Sequence, residues 1–327
     1  MIRKFTVGAD PELFIFNTAT KTVVSSAGII PGLKGEPWVD PAWPKGFGLE
    51  IDNILAEFNI PPCTTKEEFV NNIVFMKNYI RDFVKKINPN YDIRCRASYI
   101  VPEDQLQSEQ AKLFGCSVDF NAYTEEPNPK PDGEKTNLRS SGMHIHLGYD
   151  NPDVETSLLL VKYFDAYLGV PSVLIDGDTK RRSLYGKAGS FRLTDYGLEY
   201  RSLSSVFLKT KTNLNFVWDG IERVIQAYNL QIPLPPADEV QAAINNSDSV
   251  LAKKLVDEYH LTTMPYKEYA ENPIDEIMDR IEARKLKVAV DRPNAGIVDP
   301  LNNRKIVIGD AVVEAVEDLE EKWLNQI

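Results

Sequence analysis

The sequence predicts an α+β protein with a mainly helical C-terminal segment. Short runs rich in β-branched and aromatic residues recur through residues 1–230 and predict strands. Two longer segments, 64–88 and 153–168, repeat apolar residues at helical spacing instead. Beyond Pro233-Leu234-Pro235-Pro236 the composition shifts to helix formers with few motifs. We therefore predict a functional core over residues 1–230 and a mainly helical extension over residues 231–327.

Composition and charge argue against several classes of protein. The 327 residues carry a formal net charge of −11, which argues against a nucleic-acid footprint or a basic membrane-facing surface. Neither a Walker loop nor a GxGxxG motif is present, so neither a P-loop nor a Rossmann fold is indicated. The three cysteines lack CxxC spacing, and no long apolar run exists. These features predict a cytoplasmic protein with reduced thiols and without nucleic-acid or membrane partners.

The first strand candidate carries two acidic residues on one face. Residues 3–7 and 13–16 are short β-rich runs that flank Asp10-Pro11-Glu12. Because proline cannot donate a ladder hydrogen bond, the segment between the runs is predicted to be a sheet edge, a bulge or a strand entry. Residues two apart on a strand point to the same side, which places Asp10 and Glu12 together.

A long loop and a second acidic segment follow. Residues 28–48 carry many glycines, prolines and tryptophans, and ordered loops of this length are more often functional than idle. Residues 47–60 then predict one bent strand or two strands, in which Glu50, Asp52 and Glu57 are embedded in apolar sequence.

Helix 64–88 has terminal signals at both ends. Thr64 or Thr65 is a candidate N-cap, and Lys85-Lys86 lies at the far end, where cations are favourable. The other predicted elements are strands at 91–101 and 197–207, a polar loop at 124–138, and helices at about 153–168, 212–229, 237–258, 273–286 and 309–325.

Two of the three histidines lie close together in the run Ser140–Tyr149. On a strand, His144 and His146 project to one face while the apolar residues between and around them project to the other. Taken alone, this spacing fits a strand with two hydrogen-bonded histidines about as well as a ligand site.

Four strand candidates thus present polar residues at alternate positions: Asp10/Glu12, Glu50/Asp52 (with Glu57 beyond), His144/His146 and Glu199/Arg201. Burying isolated carboxylates costs on the order of several kcal/mol each, so they require ion partners or metals. Strands that line a common cavity explain four such sets better than separate ion pairs do. Oxygen-rich ligands suit Mg²⁺ or Mn²⁺.

Arginines cluster in sequence around the second half of this set: Arg139, Arg181, Arg182, Arg192 and Arg201. Arginine suits phosphate and carboxylate groups, because its planar fork of donors matches their oxygens. Carboxylates, a cation and arginines together predict phosphoryl chemistry on a nucleotide.

Four segments resemble the phage-type COOH–NH2 ligases, or amidoligases, of the glutamine synthetase / glutamate–cysteine ligase superfamily. They are Gly8–Phe14, Leu55–Pro62, Ser140–Gly148 and Gly197–Ser202. They occur in the family's order, and the resemblance covers roughly residues 5–210. Asp10 is a departure, because the superfamily usually has Glu there; Asp10-Pro11-Glu12 fits the phage-type subgroup.

The resemblance implies an antiparallel sheet curved into a funnel, like the catalytic domain of glutamine synthetase, with ATP entering at one end and Mg²⁺ or Mn²⁺ in the middle. It implies one cation held by Glu12, Glu50 and Glu57, and another held by Asp10, His144 and Glu199. His144, His146 and Arg201 would bind the metal–nucleotide. The residues it implies for catalysis are Glu199, Arg201, Arg192 and Arg182.

The implied reaction joins a carboxylate to an amine in two steps. ATP phosphorylates the carboxylate, and the amine then displaces phosphate from the acyl phosphate to form an amide. The expected partners are small-molecule or peptide carboxylates and amines, in the cytoplasm of the host if the protein is phage-encoded. The C-terminal helices are expected to cover the sheet or to form a homo-oligomer contact.

Three alternatives remain open from the sequence. A phosphagen-type kinase of the same superfamily would stop after phosphoryl transfer. A metal-dependent hydrolase built on His144 and His146 would bind zinc and would not need ATP. A non-catalytic phage structural or binding protein would retain the fold, although the complete set of acidic residues argues against it.

Overall fold

The computed structural model describes residues 1–112, 119–129 and 136–262, and two short strands at 297–298 and 305–306. The chain divides into two compact units, Met1–Asn272 and Pro273–Ile327. In the second unit, Ile297–Val298 pairs with Lys305–Ile306 in antiparallel orientation. The helices predicted at 273–286 and 309–325 lie outside the described residues.

The first unit alternates strands and helices along the chain. Its strands are β1 (Phe5–Asn17), β2 (Thr22–Val24), β3 (Gly48–Asp52), β4 (Leu55–Cys63), β5 (Tyr91–Arg94), β6 (Ser98–Ile100), β7 (Phe120–Asn121), β8 (Leu138–Ser140), β9 (Met143–Tyr149), β10 (Ser190–Thr194) and β11 (Gly197–Tyr200). Its helices are α1 (Lys66–Ile87), α2 (Glu109–Lys112), α3 (Val154–Phe164), α4 (Val170–Ser172), α5 (Arg181–Leu184), α6 (Lys211–Asn229), α7 (Ala237–Asn245) and α8 (Ser249–Tyr259). Single turns of 3₁₀-helix lie at Glu103–Leu106 and Ser205–Leu208.

A large antiparallel sheet forms the centre of this unit, as the sequence predicts. Its order is β3-β4-β1-β9-β11-β10-β7, and β2 and β5 pair with the C-terminal end of β1. The sheet is open rather than closed into a barrel. A mixed α/β fold with an antiparallel sheet and flanking helices is therefore confirmed, while the funnel shape stays a prediction.

Strand β1 differs from its prediction as two separate short runs, because it continues through Pro11. Pro11 stands opposite Met143, at the point where the pairing of β1 with β9 ends. The next residue, Glu12, donates its backbone N–H to the Gly142 carbonyl oxygen at 3.0 Å. The missing N–H of proline therefore falls at the end of a ladder, where it is tolerated.

Residues 48–63 form two strands joined by a tight hairpin. Of the two alternatives left by the sequence, one bent strand or two strands, the second is therefore correct. The hairpin places Asp52 opposite Leu55, and Asn53 in its turn has a φ of 57°. Asparagine accepts this left-handed conformation more readily than most residues. The turn brings Glu50 directly opposite Glu57.

Helices pack against the strands of the sheet, α1 against β4 and β5, and α3 against β10 and β11. Thr65 caps α1 in a capping box with Glu68, as the sequence predicts. Phe69 of α1 packs against Trp218 of α6, with ring centroids 5.6 Å apart. Helix α3 continues through a π-helical turn, Asp165–Gly169, into α4, and this continuous helix packs against α6.

The segment 237–258, predicted as one helix, is two. Helix α7 ends at Asn245, Ser247 has a φ of 50°, and Asp248 caps α8 by accepting from two backbone N–H groups. Both helices pack against α4 within the first compact unit, and the functional division predicted at residue 230 stays a prediction. Among the described helices, none has the length and apolar character of a membrane span.

Candidate active site

Polar residues from neighbouring strands line up on one face of the sheet. The cross-strand pairs of this row are Glu50–Glu57, Glu57–Glu12, Asp10–His144, His146–Glu199 and Glu199–Arg192. Because side chains alternate between the two faces of a strand, this register brings side chains from six strands together. The apolar residues between them, such as Ile145 and Leu147, are fully buried on the opposite face.

The two histidines converge on one carboxylate oxygen. Asp10 Oδ1 lies 3.3 Å from His144 Nδ1 and 3.2 Å from His146 Nε2. In the described part of the chain, these three atoms are buried without a hydrogen-bond partner. Burial raises the pKa of Asp10, but His146 and His144 outweigh it and hold that pKa well below its usual value. The other ring nitrogen of His146 hydrogen-bonds with the Tyr196 hydroxyl.

Gly142 makes room for the first histidine. A Cβ at this position would lie 2.6 Å from His144 Nε2 and 3.3 Å from Arg181 Nη2. The Gly142 backbone N–H also donates to Glu12 Oε2 at 2.6 Å. The absence of a side chain therefore lets His144 lie directly over the strand entry, next to Glu12.

Two arginines hold Glu199 at the next position of the row. Arg192 donates to both carboxylate oxygens, at 2.6 and 2.8 Å, and Arg201 donates to Oε1. Burial and the nearby Asp10 raise the pKa of Glu199, but Arg201 and Arg192 outweigh them and lower it. Glu199 Oε1 also lies 3.5 Å from His144 Nδ1, so the arginine pair adjoins the histidines.

The other half of the row is a cluster of buried carboxylates. Ligand oxygens of Glu12, Asp52 and Glu57 lie within 4.8 Å of one another. Lys34, from the long loop before β3, contacts Glu57 at 2.7 Å, Asp52 at 3.0 Å and Glu50 at 3.5 Å. Burial raises the pKa of Glu12 and, together with the neighbouring Asp10 and Asp52, that of Glu57.

The structure separates the two neighbouring arginines of α5. Arg182 points away from the row, and its guanidinium donates to the Asp178 carbonyl and the Ser172 and Ser247 hydroxyls. Arg181 instead donates to the backbone carbonyls of Ser141, Ser202 and Arg201. Burial lowers the pKa of Arg181 to about 10.

A cavity of about 40 Å³ opens between the two halves of the row. Residues from both halves line it: Glu12, Asp52, His144, Arg139, Arg181 and Arg201. A water needs roughly 10–15 Å³ of such space, so the cavity admits a few waters or a partly hydrated ion next to the arginines.

The half of the row that contains Asp10, His144, His146 and Glu199, here called the histidine half, fits a divalent cation. Asp10, His146 and Glu199 place ligand atoms within 4.8 Å of one another, and His144 Nδ1 lies 3.3 Å from Asp10 Oδ1 and 3.5 Å from Glu199 Oε1. Imidazole nitrogens and carboxylate oxygens are ligands of divalent metal ions. An ion there would satisfy three buried atoms that lack hydrogen bonds. The hydrogen bond of His146 to Tyr196 would orient that ring, as outer partners of metal-bound histidines do.

The motifs predict most of this row but not three of its contributors. They indicate Asp10, Glu12, Glu50, Glu57, His144, His146, Glu199, Arg192 and Arg201, which the structure brings to one face. They indicate Arg182, which the structure places elsewhere, rather than Arg181. They assign no role to Gly142 or Lys34, and nothing in the sequence indicates where Lys34 points.

A sheet face that gathers carboxylates, imidazoles and arginines is typical of enzymes that bind a cation together with an anionic substrate. Residues 134–288 match the family model Phage phiEco32-like COOH.NH2 ligase-type 2, so this part of the chain is similar to that family. The match confirms the family that the motifs indicated and supports an enzyme of the ligase class. The matched segment extends past residue 210, where the resemblance carried by the motifs ends. It begins after β1 and β4, the strands that carry Asp10 and Glu57. No curated protein matches the chain.

Proposed function

We propose that this protein is an ATP-dependent carboxylate–amine ligase whose reaction takes place on the polar face of the sheet. The observation that carries the proposal is that the histidines lie next to a glutamate that binds two arginines, all within the segment that matches the family. His144, which shares Asp10 with His146, lies 3.5 Å from Glu199, and Glu199 holds two arginines. A cation site and an anion site are thus adjacent. The finer fold that we propose is the funnel of the glutamine synthetase superfamily.

The proposed reaction has two balanced steps. An oxygen of the substrate carboxylate attacks the γ-phosphorus of ATP, the bond to the β-phosphate oxygen breaks, and ADP leaves. The amine nitrogen then attacks the acyl carbon, the acyl–phosphate bond breaks, and phosphate and a proton leave. Anions must approach one another in the first step, so charge neutralisation and positioning supply most of the catalysis.

Asp10, His144 and Glu199, with His146 beside them, would hold a divalent cation, for which Mg²⁺ and Mn²⁺ are the proposed candidates. When bound, the cation would neutralise the phosphate oxygens. Two imidazoles among the donors favour Mn²⁺ over Mg²⁺. A second cation at Glu12, Glu50 and Glu57, which the family resemblance implies, would have to compete with the Lys34 ammonium group that contacts Glu50 and Glu57.

Arg192 and Arg201 are the residues that we propose to face the transferred phosphoryl group. Their charges exceed that of the single carboxylate, Glu199, that they share, so the trio carries a net positive charge next to the cavity. Arg181 acts through position instead, because it holds the backbone at Ser141, Ser202 and Arg201. Arg182 donates its hydrogen bonds to Asp178, Ser172 and Ser247 and not, among the described residues, to Glu199. We therefore assign it a packing role at the junction of α7 and α8.

Transfer of oxygen-18 tests the proposal. The protein would be incubated with ATP, Mg²⁺ or Mn²⁺, and pools of amines and ¹⁸O-labelled carboxylates, and the products analysed by mass spectrometry. We expect an amide, ADP and phosphate carrying one ¹⁸O atom from the carboxylate. The His144→Asn variant should lose this activity, while His260→Asn, at the exposed end of α8, should keep it. Amide formation without ¹⁸O in the phosphate would contradict the acyl-phosphate route.

A metal-dependent hydrolase is the second candidate, favoured by one observation. Two imidazole nitrogens lie 3.3 and 3.2 Å from the same carboxylate oxygen, and histidines with a carboxylate also bind hydrolytic zinc. Zinc retained through purification, with ester or amide hydrolysis that does not require ATP, would support this candidate. The arginine pair on Glu199 argues for the ligase, since zinc hydrolysis does not require two arginines at this distance.

A further inference from the structure

A short turn in the loop 28–48 places a lysine next to Glu12, Glu50, Asp52 and Glu57, here called the acidic half of the row. Leu33 and Glu36 form an isolated antiparallel bridge, with N···O distances of 3.1 and 2.8 Å. Between them, Lys34 and Gly35 form the tip, and Gly35 has a φ of 81°. This conformation is that of a tight turn that requires glycine at its third position.

The turn is fixed to the edge strand β3 on both sides. Gly32 accepts from the Ile51 N–H at 3.1 Å, and Trp38 exchanges two backbone hydrogen bonds with Leu49, both at 2.9 Å. A Cβ on Gly32 would lie 2.1 Å from the Leu49 carbonyl oxygen, so only glycine permits this close approach. The position of the Lys34 backbone is therefore set by the sheet itself.

Three carboxylates receive the Lys34 ammonium group. Its distances to Glu57, Asp52 and Glu50 are 2.7, 3.0 and 3.5 Å, and these carboxylates are only 6–8% exposed while the lysine side chain is 40% exposed. The neighbouring Gly35 N–H donates to Glu50 at 3.0 Å. Lys34 donates hydrogen bonds to Glu57 and Asp52, and Glu50 adds a third negative charge next to the ammonium group.

The cluster also has the features of a cation site. Asp52 Oδ1 is buried and, within the described residues, has no hydrogen-bond partner. Glu12, Asp52 and Glu57 place ligand oxygens within 4.8 Å of one another, and Lys34 contacts two of these three residues. The lysine thus lies where carboxylates converge, next to Glu12, Glu50 and Glu57, the residues that the family resemblance implies as ligands of a metal ion.

We propose that Lys34 is a tethered cation that takes the place of a divalent metal ion in the acidic half of the site. This inference rests on the proposed function, because it concerns how the ligase neutralises charge. The protein would then bind its divalent cation at the histidine half alone, and the acidic half would keep a fixed positive charge in every state of the reaction. The cluster would still be a site that accepts a divalent cation once the lysine charge is removed.

The number of Mn²⁺ ions bound per chain tests this proposal, measured by the electron paramagnetic resonance signal of free Mn²⁺. We expect Lys34→Met to bind one Mn²⁺ more than the wild type, because methionine fills similar space without charge. Lys34→Arg and Lys45→Met, the latter an exposed lysine of the same loop, should bind the wild-type number. Equal stoichiometry for a folded Lys34→Met variant and the wild type would overturn the proposal.

A second variant keeps the test decisive if Lys34→Met does not fold. Glu57→Gln removes one carboxylate from the acidic half, and under the proposal the wild-type Mn²⁺ stoichiometry should not change. A loss of one Mn²⁺ would overturn the proposal, because a metal would then already occupy the acidic half. Absence of any Mn²⁺ bound by the wild type would instead contradict the cation site of the proposed function, and the difference between the wild type and Lys34→Met would still report on Lys34.

Discussion

The two halves of the polar row solve the problem of buried charge in different ways. In the acidic half, the protein supplies a cation of its own, the Lys34 ammonium, which contacts three carboxylates. In the histidine half, Asp10 Oδ1, His144 Nδ1 and His146 Nε2 are buried without hydrogen bonds inside the described chain. Buried polar atoms are costly when unsatisfied. Within the described residues the acidic half leaves one such atom, Asp52 Oδ1, and the histidine half leaves three, so the histidine half is the one that favours a bound cation.

The difference indicates that one half of the row holds a fixed charge and the other half binds an exchangeable ion. A lysine is a permanent charge that cannot exchange with solvent, whereas a divalent ion enters with, or is shared with, the substrate. Removing charge from the histidine half should therefore affect metal binding most, and the same change in the acidic half should affect it least.

The largest effect is expected for Asp10→Asn. This change keeps the shape of the side chain but removes the charge on which both histidines converge, and we expect Mn²⁺ affinity to fall by at least roughly 100-fold. Glu50→Gln, the equivalent change in the acidic half, should leave Mn²⁺ affinity within about threefold of wild type. Isothermal titration calorimetry of both variants with Mn²⁺ makes the comparison.

Asp257→Asn, a change on the exposed surface of α8, is the control for the loss of one negative charge. If Asp10→Asn and Glu50→Gln weakened Mn²⁺ binding equally, the two halves would not differ in function and the comparison would fail.

A smaller effect is expected for Gly142→Ala. The added Cβ would lie 2.6 Å from His144 Nε2, so the ring must move and its other nitrogen must leave Asp10. We expect Mn²⁺ affinity to fall by about 10- to 100-fold, the range seen when the support of a ligand is lost. Gly177→Ala is the matched control, because a Cβ there meets nothing within 4 Å. Unchanged affinity in a folded Gly142→Ala variant would show that His144 is not positioned by this contact.

Periodicity and motif spacing were sufficient to predict the elements that carry this site. Alternation predicts that Asp10 and Glu12 share a face and that His144 and His146 do too, and the sheet register places all four together. Capping chemistry predicts the start of α1 at Thr64 or Thr65, and the structure has Thr65 as the cap. These features depend on neighbours along the chain, which the sequence contains directly.

What the sequence did not reveal depends on contacts between distant segments. Whether Arg181 or Arg182 faces the cavity is decided by how a four-residue helix packs between β11 and α7, and no pattern within the helix determines this. The direction of Lys34 depends on hydrogen bonds between its loop and β3. The continuation of β1 through Pro11 depends on where its partner strand ends, which is equally non-local.

The last and smallest prediction concerns the face of the sheet opposite the polar row, where a buried carboxylate has hydroxyl and N–H donors as its contacts within the described residues. Asp165 is fully buried behind β11 and accepts from the Tyr200 hydroxyl at 2.8 Å and the Gly189 N–H at 2.6 Å. Burial raises its pKa to about 7. A carboxyl whose pKa is higher in the folded state binds a proton on folding, so its contribution to stability is lost as pH rises from about 4 to about 7.

We therefore expect the free energy of unfolding to fall by about 2 kcal/mol between pH 5 and pH 7 because of this residue, since one pKa unit corresponds to about 1.4 kcal/mol. Asp165→Asn should remove that slope, as measured by urea unfolding at several pH values. Asp92→Asn is the opposite control: burial raises the pKa of Asp92, but Arg94 and Arg81 outweigh it and lower it, so wild-type Asp92 adds stability that is lost as pH falls below its unfolded pKa of about 4. If wild type and Asp165→Asn showed parallel pH profiles, Asp165 would ionise normally, and the two faces of the sheet would not differ in how they treat a buried carboxylate.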